Sequence, residues 1–141
     1  MADPSSTAPQ NPDPLRRLEA VVAHLRDPQA GCPWDLEQTH QSLVPYVLEE
    51  AHEVADAIRH GDDSHLKEEL GDVLFTLVNV ARWCGIDPEE GLAGTNRRFL
   101  DRFSRVEAAL GGDLQGRSIR ELESLWQQAK AQIRSEQEGA V

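Results

Sequence analysis

Cysteine is scarce in this chain: Cys32 and Cys84 are the only two in 141 residues. That is too few for a disulfide scaffold or a thiolate zinc site, and it fits reduced thiols. No apolar run approaches the roughly 20 residues needed to span a bilayer, which excludes a transmembrane reading. The opening stretch, MADPSSTAPQNPDP, has neither a basic region nor an apolar core and does not read as a secretory signal. A cytoplasmic protein is expected. Sustained alternation of apolar and polar residues is missing too, so no strand is expected. Positive charge is short: 14 Lys and Arg stand against 25 Asp and Glu, a formal net charge of −11. That balance argues against a generic binder of nucleic-acid polymer or anionic membrane.

What is present is ordinary for a soluble globular protein: 39% hydrophobic residues and 28% charged. The length suits one domain with a modest core. Residues 1–12 are rich in Pro, Ser, Ala and Asn without periodicity and read as a disordered tail, leaving one domain over 13–138. Asp13-Pro14 opens a first amphipathic helix carrying Leu15, Leu18, Val22 and Leu25. An irregular segment, GCPWDLEQTH, follows. A second helix is expected from about Leu43 to His60, stopped by Gly61. Asp62, Asp63 and Ser64 cap a third that closes at Gly85. Asp87-Pro88 opens a fourth reaching Leu110, and Ser118-x-x-Glu121 opens a last one to about Gln137. The fold class is all-α, most simply a helix bundle.

Two acidic motifs carry the chemistry. Glu49-Glu50-Ala51-His52-Glu53 lies in the second helix and Glu69-Leu70-Gly71-Asp72 in the third. Residues three apart share a helix face, so Glu50 pairs with Glu53 and Glu69 with Asp72. Val44, Val47, Ala51, Val54 and Ile58 form the expected core stripe of the second helix. Leu66, Leu70, Val73, Leu77 and Ala81 form that of the third. Both acid pairs lie on the same flank of their stripes, where packed helices would bring four carboxylates together. Such a cluster repels itself unless cations sit in it, and its oxygen-only donors suit Mg²⁺ or Mn²⁺. Phe75, Val78 and Trp83 lie off the stripe, which marks a central helix or one at a subunit interface.

The chain from about Leu15 to Glu107 resembles the MazG family of all-α nucleoside triphosphate pyrophosphohydrolases. The likeness rests on Cys32-Pro33-Trp34-Asp35, Gln38-Thr39-His40, Ser42-Leu43, the Glu49-Glu50-x-x-Glu53 box, Glu68-Glu69-Leu70-Gly71-Asp72, Asn96-Arg97-Arg98-Phe99 and Arg102-Phe103. It implies a four-helix-bundle-like fold with an extra C-terminal helix, forming homodimers that can pair further. It also implies Mg²⁺-dependent cleavage of a nucleoside triphosphate between the α- and β-phosphates, giving the monophosphate and pyrophosphate. Metal ligation falls to Glu50, Glu53, Glu69 and Asp72, and catalysis to Glu50 and Glu53 with Glu49 orienting or deprotonating the water. Arg98, Arg102 and Arg105 fall on one stripe of the fourth helix. Arg98 and Arg102 are read as phosphate contacts, Asn96 as a sugar or phosphate contact, and Trp34, Gln38 and His40 as framing the base. Longer family members carry two such domains in tandem, whereas this chain has a single acidic pair set.

Other readings compete. Glu49-x-x-His52 and Glu37-x-x-His40 satisfy the pattern of a di-iron carboxylate bundle, but His52 lies on the far side of its helix from Glu50. A non-catalytic helical interaction protein with solvated acids is another. Within the enzyme class, relatives that act on dUTP or phosphoribosyl-ATP are the alternative.

Overall fold

A computed structural model describes residues 12–140 of the protein. The described residues contain six α-helices and no strand: α1 Pro14–Leu25, α2 Pro33–Glu37, α3 His40–His60, α4 Asp63–Trp83, α5 Pro88–Ala109 and α6 Ile119–Gly139. The expected all-α class is thus the observed one. No described helix is long and apolar enough to cross a membrane. Of the expected N-terminal tail, residues 1–11 lie outside the described residues.

Local chemistry explains the boundaries. The Asp13 carboxylate accepts from the Leu15 N–H at 2.9 Å and Pro14 fills the first helical position, where a missing N–H costs nothing. α3 starts three residues earlier than periodicity suggests. Thr39 and Ser42 make a reciprocal capping box that satisfies both backbone donors. The segment read as irregular contains the short helix α2, started by Pro33 and ended at Gln38, whose backbone is extended.

The chain divides into two compact units, one ending at Pro88 and the other beginning at Glu89. In the first, α3 packs on α4 and α1 packs along α4. Gly61 ends α3 with φ +70°, the left-handed conformation a side chain disfavours, and its N–H donates to the carbonyls of Ala57 and Ile58. The adjacent Asp62 caps α4 through the N–H groups of Ser64 and His65. Two connecting residues leave the helices no course but antiparallel. The α1–α4 contact is polar at its centre. Buried Glu19 lies 3.9 Å from Arg82, and the Arg26 guanidinium stacks 3.8 Å above the Trp83 ring while donating to the Arg82 carbonyl.

The packed faces correct the helical-wheel expectation. In α3 the inward residues are Leu43, Val47, Glu50, Val54 and Ala57, while Val44 and Ile58 stand 52% and 61% exposed. In α4 Glu69 is buried, whereas Leu70 and Leu77 of the expected stripe are 46% and 49% exposed. Glu50 and Glu69 therefore sit in the α3–α4 contact, while Asp72 stays exposed at its edge. Each helix is rotated so that much of its apolar stripe faces outward.

In the second unit, α5 and α6 carry a ring cluster. Phe99 and Phe103 stack with centroids 5.7 Å apart, and Trp126 meets Phe99 at 5.6 Å. Val106 and Ala129 are its buried residues. Arg105 clamps the helices together, donating twice to Glu136 at 2.8 Å and once to Asp101 at 2.9 Å.

Candidate functional site

The antiparallel hairpin does for the acids what no single helix can. Glu53 and Glu69 each lie eight residues from Gly61, and Glu50 and Asp72 each lie eleven. Equal spacing about a tight turn brings these residues level, because both helices rise about 1.5 Å per residue. Glu50, Glu69 and Asp72 each offer an oxygen within 4.8 Å of the others. Glu53 lies near enough to Glu50 and Glu69 for its charge to raise both carboxyls. Glu49, next in sequence, is exposed on α3.

Electrostatics follow from this crowding. Loss of hydration, then the charges of Glu53, Asp72 and Glu49, hold the Glu50 carboxyl above its ordinary value. Glu69 is raised first by desolvation and then by Glu53, with His65, 3.5 Å away, pulling the other way. Glu50 Oε2 and Glu69 Oε2 are buried and meet no hydrogen-bond donor. Desolvated anionic oxygens without donors are the environment a hard divalent cation relieves, so this donor set fits one.

A pH test follows. With raised carboxyls, the folded metal-free protein holds protons that the unfolded chain has released. Their contribution therefore weakens stability as pH rises from the ordinary carboxylate range through the raised folded values. Melts in EDTA should show this falling component in wild type and its reduction in Glu69→Gln, with excess Mg²⁺ reversing it. An identical pH profile for wild type and Glu69→Gln would contradict the crowding.

Beside the cluster a cavity of about 320 Å³ is lined by Trp34, Asp35, Tyr46, Glu50, Phe75 and Asn79, among others. Trp34 and Tyr46 meet edge to face at 5.7 Å. Phe75, off the expected stripe of its helix, lines this cavity. The Asn79 amide oxygen is buried with no donor, and Asp35 is only 6% exposed. Periodicity gave no reason to single out Asn79; a lone polar residue in the apolar run Leu77–Ala81 was its only signal.

The other expected nucleotide contacts are placed differently. Gln38 donates through Nε2 to the Trp34 carbonyl at 3.0 Å and accepts from the Ser42 hydroxyl at 2.7 Å. His40 Nε2 lies 3.3 Å from the Trp83 carbonyl. Both tie the α2 segment and the start of α3 to backbone. In the second unit, Asn96 and Arg98 are exposed and Arg102 is half-buried on α5. The Arg98 guanidinium bonds Thr95 Oγ1 at 3.0 Å and folds back over Gly94, where a Cβ would stand 3.3 Å from it. Arg105, on the same stripe, is committed to Glu136 and Asp101, which hold its charge above the ordinary range.

Residues 38–106 match the model of the MazG nucleotide pyrophosphohydrolase domain. Over 125 residues the chain is 37% identical to a nucleoside triphosphate pyrophosphohydrolase of Escherichia coli (strain K12), an alignment covering 86% of this chain and 46% of that protein. It is also 37% identical, over 131 residues, to the nucleoside triphosphate pyrophosphohydrolase/pyrophosphatase MazG of Thermotoga maritima, covering 90% of this chain and 49% of the relative. The chain thus spans about half the length of these curated relatives. A solved structure of a mazG-related protein from Thermotoga maritima matches with a TM-score of 0.62 at 26% identity, covering 82% of this chain and 98% of the other. The matched domain contains all four clustered carboxylates and Arg98 and Arg102. Trp34 precedes it, and α6 follows it.

Proposed function

We propose that this chain, which belongs to the MazG nucleotide pyrophosphohydrolase family, hydrolyses nucleoside triphosphates between the α- and β-phosphates to the monophosphate and pyrophosphate. The observation that carries this reading is the carboxylate cluster with its two donorless buried oxygens. A site that must neutralise anions of its own is suited to binding a metal-complexed polyanion.

Glu50, Glu53, Glu69 and Asp72 hold the cation. Mg²⁺, with Mn²⁺ as substitute, fits their oxygen donors, and such an ion supplies charge neutralisation on the phosphates. Glu49, exposed next to the cluster, orients the water and accepts its proton as the water oxygen bonds to the α-phosphorus. The bond from that phosphorus to the α–β bridging oxygen breaks, and pyrophosphate leaves. Arg98 and Arg102 contact the β- and γ-phosphates, and Asn96 the sugar or a phosphate. Trp34 stacks on the base, with Asp35 and Asn79 as polar partners in the same cavity. Gln38 positions Trp34 through its bond to the Trp34 carbonyl, and His40 ties the start of α3 to the end of α4 through the Trp83 carbonyl.

The test is a screen of canonical and modified NTPs and dNTPs with Mg²⁺ that separates pyrophosphate from orthophosphate. Orthophosphate as the sole product rejects the reading. Turnover confined to dUTP or phosphoribosyl-ATP moves the chain to the related enzymes. No turnover, together with no Mg²⁺-dependent change in melting temperature, leaves a helical interaction protein.

A homodimer, able to pair further, belongs to the same proposal. Leu48, Leu74 and Leu77 of α3 and α4 are 56%, 58% and 49% exposed. Burying what remains exposed of each contributes about half the roughly 1.5–3 kcal/mol of a full burial. Light scattering at micromolar concentration should give at least twice the 15.7 kDa chain mass, and Leu74→Glu should lower it. A fully active monomer would refute this assembly.

A further inference from the structure

The cavity beside the carboxylate cluster has a one-sided polar lining. Its charged residues are the acids Asp35 and Glu50, with no Lys, Arg or His among the residues that line it. Glu50 belongs to the metal cluster, which leaves Asp35 and Asn79 to meet a ligand's polar edge. Asp35 is 6% exposed, and its carboxylate offers two acceptor oxygens with no lining cation to neutralise them. Asn79 Oδ1 is buried without a donor. Leaving such acceptors unpaired is costly, so a fitting ligand brings N–H groups to them rather than carbonyls. The Tyr46 and Thr76 hydroxyls donate or accept equally well and impose no choice. Trp34, Tyr46 and Phe75 supply ring walls against which a flat molecule packs. At about 320 Å³ the cavity falls at the small end of the range for ligand sites.

We propose that Asp35 and Asn79 make this cavity selective for guanine, so that guanine nucleoside triphosphates are the preferred substrate class. The proposal rests on the pyrophosphohydrolase reading for the triphosphate and adds the identity of the base. Guanine carries N1–H beside an N2 amino group on one edge. N1–H and one amino hydrogen donate to the two Asp35 oxygens, and the other amino hydrogen is left for Asn79 Oδ1. The other common bases mismatch a carboxylate. Adenine and cytosine place their amino group beside a ring-nitrogen lone pair, and uracil and thymine hold a single N–H between two carbonyls. Each of them sets an acceptor against an acceptor and leaves one Asp35 oxygen unpaired. Asp35 directly follows Trp34 in α2, whose Trp34 carbonyl is anchored by Gln38. The residue that packs on the base and the residue that reads its edge are therefore held by the same short helix.

The experiment is calorimetric titration of the full chain, with Mg²⁺, using GTP, ATP, CTP and UTP analogues in which a methylene replaces the α–β bridging oxygen. The proposed reaction cannot cleave these, so binding is read without turnover. The guanine analogue should bind wild type at least about tenfold more tightly than the other three, because a site built to pair with N–H groups rejects bases that lack them. Asp35→Asn exchanges one acceptor oxygen for a donor, and it should shrink that advantage to less than about threefold. The hypoxanthine analogue keeps N1–H and lacks the amino group, so it should bind wild type more weakly than guanine, and Asn79→Ala should narrow this gap. Should Asp35→Asn melt early, Asn79→Ala gives the reading by itself. Equal affinities across the bases, a preference for another base, no binding of any analogue, or a guanine preference that both variants keep overturns the proposal. Guanine-selective binding by a protein that hydrolyses no triphosphate would sink the proposed reaction and leave the base selection standing. Turnover of all four triphosphates at equal kcat/KM, with equal analogue affinities, would do the reverse.

Discussion

Glu53→Gln and Asp72→Asn should each abolish nucleotide hydrolysis while leaving the helical fold intact. Each substitution keeps the side chain's size and removes one anionic oxygen donor from a four-carboxylate cluster. The charge stabilisation a divalent ion provides to a reacting phosphate is worth several kcal/mol. At about 1.4 kcal/mol per factor of ten, a loss of roughly a thousandfold is expected. Stability should move the other way. Glu53 raises the carboxyls of both Glu50 and Glu69, so neutralising it lessens repulsion in the metal-free protein. The EDTA melting temperature of Glu53→Gln should therefore equal or exceed that of wild type, and its gain from added Mg²⁺ should shrink. Near-normal turnover of either variant at limiting Mg²⁺ would show that the ligand set is wrong.

Arg98→Ala and Arg102→Ala should weaken the transition state by roughly 2–4 kcal/mol each, the usual scale for losing a charged contact to a developing anion. Metal affinity should barely change, since neither residue is a ligand. The loss should be shared across all bases, because phosphates carry no base identity. Neither side chain is locked into an ion pair that would confound the result. Arg98 is held by a hydroxyl, and half-buried Arg102 lies 5.8 Å from the Trp126 ring centre, a contact worth on the order of 1 kcal/mol of stability. Arg105→Ala is the contrasting variant: it severs the clamp to Glu136 and should act on stability before catalysis. If Arg98→Ala reorders substrates by base at unchanged triphosphate affinity, this segment reads the base and the proposed roles are reversed.

Arg105 shows where periodicity stops informing. The sequence places it on the stripe of Arg98 and Arg102, but Glu136, 31 residues away, takes it out of contention. Nothing local announces that pairing. Asn79 and Asp35 likewise became candidates only once a cavity existed for them to line.

The sequence by itself determined the helices and the pairing of acids. Caps at Asp13, Asp62 and Ser118, with Gly61 as a stop, are written in residue type because each satisfies backbone groups within a few positions; the Thr39 cap of α3 emerged only in the structure. The three-residue spacing of Glu50 with Glu53, and of Glu69 with Asp72, fixes a shared face by helical geometry alone. Even their alignment across the hairpin is legible as equal distances from Gly61. What only the tertiary structure decided is which face turns inward. Periodicity ranks residues around a helix but carries no information on the neighbour it meets, and one residue corresponds to about 100° of rotation. α3 and α4 present Glu50 and Glu69 to each other and leave Ile58, Leu70 and Leu74 outward. That choice belongs to the packing of α1, α3 and α4 together, and no single helix contains the terms of that balance.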